Sequence, residues 1–184
     1  MKRVSFKKKK KRNKKLRLYW SLIKPKDFVD SLLSKSIEHN LTKLAIKKVK
    51  KEELVGTLRQ DKDGFVYIDV SNNIIHGLFP LIDDEGAEKP PYFGKGGIGA
   101  HVSAISDEEL DEDVEIKEIG NKIPFEIIGV HSANPEGWDE MSKVWFLTID
   151  CPELKKIRRK YDLPETYKNK KQDYHITFAT KRKR

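Results

Sequence analysis

The apolar positions of this chain change period several times, and each change marks an element. Behind Pro25 and Asp27, both good helix-start residues, Phe28, Val29, Leu32, Leu33 and Ile37 recur at the spacing of one helix face. Leu41, Leu44, Ala45 and Val49 predict a second, shorter helix. Residues 61–64 (DKDG) form a turn signal, and residues 65–70 (FVYIDV) read as a strand apolar on nearly both faces. Residues 72–79 predict a short helix ended by Pro80, and Lys89, Pro90 and Pro91 open a loop that runs into glycines. Strand alternation begins at residues 102–106. The acidic patch behind it (Asp107, Glu108, Glu109, Asp111, Glu112, Asp113) reads as a solvated loop, and residues 114–119 alternate as a half-exposed strand would. Residues 125–130 and 144–149 (VWFLTI) read as buried strands, with SANPEGW as the loop between them. Pro152 opens a helix in which Leu154, Ile157 and Tyr161 share a face. Lys155, Lys156, Arg158, Arg159 and Lys160 are expected to solvate its other side, and Pro164 closes it. Residues 174–180 (YHITFAT) are the last strand, followed by KRKR. Strands and helices mix without a regular βαβ rhythm and without a solenoid repeat, so the expected class is α+β rather than a doubly wound sheet.

Composition changes this picture at one end only. The 184 residues carry a net charge of +9, with 37% hydrophobic and 36% charged residues. Residues 1–17 hold 11 Lys/Arg and no acid, including an unbroken lysine run at residues 7–11. The rest of the chain keeps 27 Lys/Arg against 29 Asp/Glu. The basicity therefore belongs to a tail that has no apolar area to bury and is expected to be disordered alone. It suits attraction to the phosphates of nucleic acid, or nuclear import in a cell with a nucleus. The expected organisation is a basic tail over 1–17, a helical extension over 18–60 and a domain over 61–184. No apolar run is long enough to span a bilayer, and no apolar segment follows the basic start as a secretory signal requires. Cys151 is the single cysteine, so an internal disulfide is excluded, and no Cys/His cluster has zinc spacing. An intracellular setting fits, cytoplasmic or nuclear. No cofactor and no metal are expected.

Two strands carry one small pattern. His101-Val102-Ser103 lies in the first and His175-Ile176-Thr177 in the second. Residues i and i+2 of a strand share a face, so His101 projects with Ser103 and His175 with Thr177, while Val102 and Ile176 point into a core. Brought together, two imidazoles and two hydroxyls suit displacement at phosphorus. One histidine takes the proton of the attacking oxygen and the other protonates the leaving oxygen, with either assignment open. The hydroxyls donate to the non-bridging oxygens. His39 and His76 sit on helical stretches and stand apart. His131 follows a strand into a loop, where it would border such a site. Tyr92, Phe93 and Trp138 are aromatics placed to line it or to stack on bases. With the lysine tail and the KRKR end, they also fit an alternative in which the chain is a non-catalytic RNA-binding module.

Between Pro91 and His101 the stretch GKGGIG fits G-x-G-x-x-G. A dinucleotide fingerprint needs a strand before the glycines and a helix after them. Here prolines precede and the strand pattern HVSAIS follows, so the glycines read as a mobile lead-in to His101.

HVSAIS and YHITFAT resemble the paired H-x-T/S motifs of the 2H phosphoesterase superfamily, which includes the 2′–5′ RNA ligase-like and cyclic phosphodiesterase proteins. FEIIGV, VWFLTIDCPELKKI and YHITFAT are similar to the second half of that family, and a branch associated with RNA repair is the nearest in pattern. The resemblance covers residues 61–180. It implies two pseudo-symmetric lobes, each a small antiparallel sheet with outer helices, around a central cleft. It further implies His101 and His175 as the general acid/base pair, and Ser103 and Thr177 as phosphate-binding hydroxyls. The implied chemistry is metal-independent cleavage of 2′,3′-cyclic or 2′–5′ phosphodiesters of RNA or nucleotides. Ser103 stands where the pattern more often has Thr. The basic tail and the acidic segment after Ser106 are not hallmarks of the family.

Overall fold

A computed structural model describes residues 25–49, 53–111, 114–135, 139–169 and 173–183. The basic tail expected over 1–17 and Trp138 lie outside the described residues. The chain divides into two compact units, residues 1–37 and 38–184. The described part of the first is the opening of helix α1 (Pro25–Lys48). Two helices were expected over this stretch and one continuous helix is observed. No Gly or Pro interrupts residues 38–41, and Thr42 Oγ1 bonds back to the Glu38 carbonyl four residues earlier, at 2.8 Å.

Two four-stranded antiparallel sheets follow, so the fold is α+β with two small sheet lobes. The first contains β1 (Val55–Gln60), β2 (Val66–Asp69), β4 (His101–Ile105) and β5 (Lys122–Pro124), in the order β4-β2-β1-β5. The second contains β3 (Ala87–Glu88), β6 (Glu126–Ala133), β7 (Met141–Asp150) and β8 (Tyr174–Arg182), in the order β3-β8-β7-β6. Helix α2 (Asn73–Leu78) connects β2 towards β4, and helix α3 (Pro152–Lys160) connects β7 to β8. The lobes thus repeat one unit: hairpin, helix, strand. In both, the strand after the helix carries a histidine motif.

Period-two burial explains how the sheets pack. Leu58, Ile68, Val102, Ala104 and Ile123 form the covered face of sheet 1, and Val130, Leu147, Ile149, Ile176 and Phe178 that of sheet 2. All ten belong to one apolar cluster, which also takes Ala45 and Val49 from α1 and Leu154 and Ile157 from α3. The opposite faces keep the polar side chains. β4 is the outer strand of sheet 1, and β3 covers β8 only at Thr180 and Lys181, so the His175 end of β8 is open to β4, which packs beside it.

The structure departs from the expected elements in several places. Residues 55–60, within the stretch read as a helical extension, form β1 at the heart of sheet 1. Residues 114–119 are not a strand but irregular chain leading into a turn over 117–120, where Ile119 N–H bonds Ile116 O and Asn121 N–H bonds Glu118 O. Gly120, at φ 93°, then turns the chain into β5. β6 runs on to Ala133, so His131 lies on the strand rather than in a loop.

Two charged residues are also placed differently than expected. Arg158 is fully buried, not solvated. Its position, four after Leu154, puts it on the core face of α3. It pairs with Glu109, so the acidic patch is not wholly solvated either.

Candidate functional site

Strand register brings the two motifs into equivalent positions. In sheet 1, His101 lies opposite Asp69 and Ser103 opposite Tyr67. In sheet 2, His175 lies opposite Thr148 and Thr177 opposite Phe146. Each histidine and its hydroxyl partner is half-buried, while Val102 and Ile176 between them are fully buried. The i, i+2 reading of the sequence therefore describes the observed faces.

The two imidazoles are held alike. His101 Nδ1 lies 2.9 Å from Gly99 O, and His175 Nδ1 lies 3.3 Å from Asp173 O. A carbonyl only accepts, so both Nδ1 atoms carry the hydrogen, and the lone pair of each neutral ring resides on Nε2. The rings are close enough for the charge of His175 to bear on His101. Burial pushes the His101 pKa below the ordinary histidine value. The Gly99 carbonyl and the Asp69 charge oppose that shift, and a charged His175 adds to it.

Tyr92 joins the halves. Its ring meets His101 edge-on at 4.6 Å between centroids, and its hydroxyl donates to the Thr177 carbonyl at 3.4 Å. Burial raises that hydroxyl to about 12, so it stays protonated and donates at neutral pH. The glycine stretch is built around this residue. Gly99 N–H bonds Tyr92 O, and a Cβ on Gly97 would sit 1.9 Å from the same oxygen. Gly99 has φ 75° and lies against Asn72, whose Oδ1 accepts the Ala100 N–H at 2.8 Å. The lead-in is thus a fitted turn fastened on both sides.

Of the other sequence candidates, His131 lies on the site face of β6, opposite Phe146, and its Nδ1 is 3.4 Å from Glu38 Oε2. The ring contacts of Phe93 are with His76, at 5.0 Å, and with Lys89, whose ammonium lies 5.2 Å from the ring, rather than with the motifs. Sequence reasoning missed Tyr67, Asp69, Asn72, Phe146 and Thr148. Four of these share strands with recognised core residues. Pairing the period-two face of FVYID against HVS would have found Tyr67 and Asp69, and the same step on VWFLT would have found Phe146 and Thr148. Asp69 also binds Arg59, Nε to Oδ2 2.6 Å. Among the described residues, no group of three or more His, Cys, Asp or Glu is placed to hold a metal ion, and no helix is long and apolar enough to cross a membrane.

Two imidazoles presenting Nε2, with two hydroxyls beside them, can exchange protons with two oxygens of one phosphorus centre. A family model described as "Swiss Army Knife, 2H phosphoesterase domain" matches residues 66–184, from β2 through both motifs. No curated protein and no solved structure matches the chain.

Proposed function

The chain belongs to the 2H phosphoesterase family, and from that premise we propose that it cleaves 2′,3′-cyclic or 2′–5′ phosphodiesters of RNA or nucleotides, without a metal, using His101 and His175. The observation that carries this reading is the duplicated presentation of the motifs. On two strands packed side by side, histidine and hydroxyl share a face, and each Nδ1 is tied to the carbonyl two residues earlier.

In this reading one Nε2 accepts a proton from water as its oxygen attacks phosphorus. The other imidazolium donates its proton to the departing ribose oxygen, so the ring opens to a monoester and the two histidines end with exchanged protonation states. Ser103 and Thr177 donate to the non-bridging oxygens, where charge grows during attack. Burial disfavours the charged form of His101, so its ring stays neutral at physiological pH, and that favours it as the proton acceptor. Residues 1–17, with 11 Lys/Arg, would add salt-dependent attraction for RNA but little for a mononucleotide.

The test is turnover of nucleoside 2′,3′-cyclic phosphates and of RNA ended in a cyclic phosphate, with chelator present. His101→Ala and His175→Ala are each expected to lose more than ~100-fold in kcat. Undiminished turnover in either variant removes that residue from the mechanism. Loss of wild-type turnover on chelation removes the metal-independent route.

A further inference from the structure

The motifs leave half of the site face of sheet 2 without a role. Phe146 lies there between two imidazoles, 6.0 Å from His131 at an interplanar angle of 36°, and 5.4 Å from His175. It is half-exposed, whereas its neighbours Trp145 and Leu147 on the other face are buried. His131, Phe146 and Thr177 form one row across β6, β7 and β8.

His131 is an oriented side chain. Its Nδ1 faces Glu38 Oε2 at 3.4 Å, an ion-pair distance that sets which way the ring is turned and leaves Nε2 on the side away from Glu38. Gly129 makes room for the ring, since an added Cβ there would lie 2.7 Å from His131 Nε2. The ring therefore lies down over Gly129, in the row that continues through Thr148 to His175. Glu38 comes from α1, outside the matched residues 66–184. That helix is fixed at this point: Thr42 Oγ1 accepts the Val130 N–H at 2.9 Å, and Ala45 and Val49 are buried.

We propose that Phe146, with His131 held by Glu38, forms a subsite for the nucleobase of the substrate, so that selectivity for nucleosides is completed by a helix outside the family domain. The base stacks on the Phe146 ring, and a polar atom of its edge hydrogen-bonds His131 Nε2. Two strand spacings, about 10 Å, separate the Gly129 position from His175. That is the reach from a ribose-borne phosphate to the far edge of its base. The substrate class is then a nucleoside cyclic phosphate rather than an aliphatic one. This inference rests on the phosphoesterase reading above.

The experiment compares kcat/KM for adenosine 2′,3′-cyclic phosphate and for glycerol 1,2-cyclic phosphate, using the full chain. The variants are Phe146→Ala, the better-packed Phe146→Leu, and Glu38→Gln. The wild-type preference for the nucleoside is expected to fall about tenfold or more in both Phe146 variants, the size of one lost base–aromatic stack. In Glu38→Gln it is expected to fall several-fold, through KM. Equal losses on both substrates, or a wild type with no preference, overturn the subsite and leave the hydrolytic reading standing. In parallel, adenosine 2′-monophosphate is titrated into wild-type protein while the Phe146 and His131 ring resonances are followed. Saturable shifts of both sustain the subsite even if no cyclic phosphate turns over, the result that would sink the hydrolytic reading alone. Unmoved rings overturn it.

Discussion

Of the two imidazoles, His101 has surroundings that give its pH behaviour a definite direction. Around His101 stand Asp69 and Tyr67 from β2, His175 from β8 and Tyr92 from the glycine turn. Burial disfavours the charged ring most strongly, and a charged His175 disfavours it further. The Gly99 carbonyl and Asp69 favour the charged ring without offsetting the loss of water. The midpoint of His101 is therefore expected below about 6.5, leaving the ring neutral and ready to accept a proton at physiological pH. Ring-resolved NMR titration checks this, and a wild-type midpoint at or above 6.5 would contradict it. Asp69→Asn removes a charge that favours the cation and releases Arg59 from its partner. Both effects should move the midpoint, and the acidic limb of kcat/KM, to lower pH. Tyr92→Leu should do the reverse, because water then reaches the ring.

The glycine turn shows how much one element can carry. Gly94 has φ −74° and its nearest neighbour to an added Cβ is Pro91 O at 3.6 Å, so Gly94→Ala should be nearly neutral. Gly97→Ala would drive a Cβ into the Tyr92 carbonyl, displacing Tyr92 from both His101 and Thr177. It is expected to lose at least tenfold in kcat/KM, and equal activity of the two variants would show that the turn does not position the site. The same turn marks the limit of what the sequence reveals. HVS and HIT were legible because period two fixes which residues share a face, and apolar runs such as VWFLTI announced their strands. GKGGIG was legible as a non-nucleotide loop, but its fastening to Asn72 and Tyr92 was not, since neither contact leaves a local pattern. β1 and β5 were missed because VGTLRQ and KIP are short and polar, and become strands only by pairing with β2 and with each other. At Arg158 the charge argues for solvent and the spacing from Leu154 argues for the core, and the spacing prevails.

That arginine matters to the whole molecule. α3 is joined by chain to sheet 2, yet Arg158 reaches sheet 1. Its Nη1 donates to the Ala104 carbonyl at 2.6 Å, next to Ser103, and its Nη2 meets Glu109 Oε1 at 2.6 Å. Glu109 in turn accepts the N–H groups of Ser106, completing a capping box, and of Lys168. One buried ion pair thus clasps both lobes behind the proposed catalytic face. Removing one partner leaves the other charged and out of water, which costs about 3–5 kcal/mol in buried pairs. Glu109→Gln keeps the shape and should lower stability by that order, read from urea or thermal unfolding. Arg158→Met with Glu109→Leu leaves no stranded charge and should recover part of the loss. The pH dependence has a definite sign. Burial alone would raise the Glu109 carboxyl, but Arg158 and the N–H groups outweigh it and hold it below the ordinary glutamate value. Its contribution is therefore complete above about pH 4.3 and is lost as pH falls below that. Glu109→Gln should flatten this acid limb of the stability profile. An unchanged limb would mean that other carboxylates govern acid unfolding and that the clasp is a minor tie between the lobes.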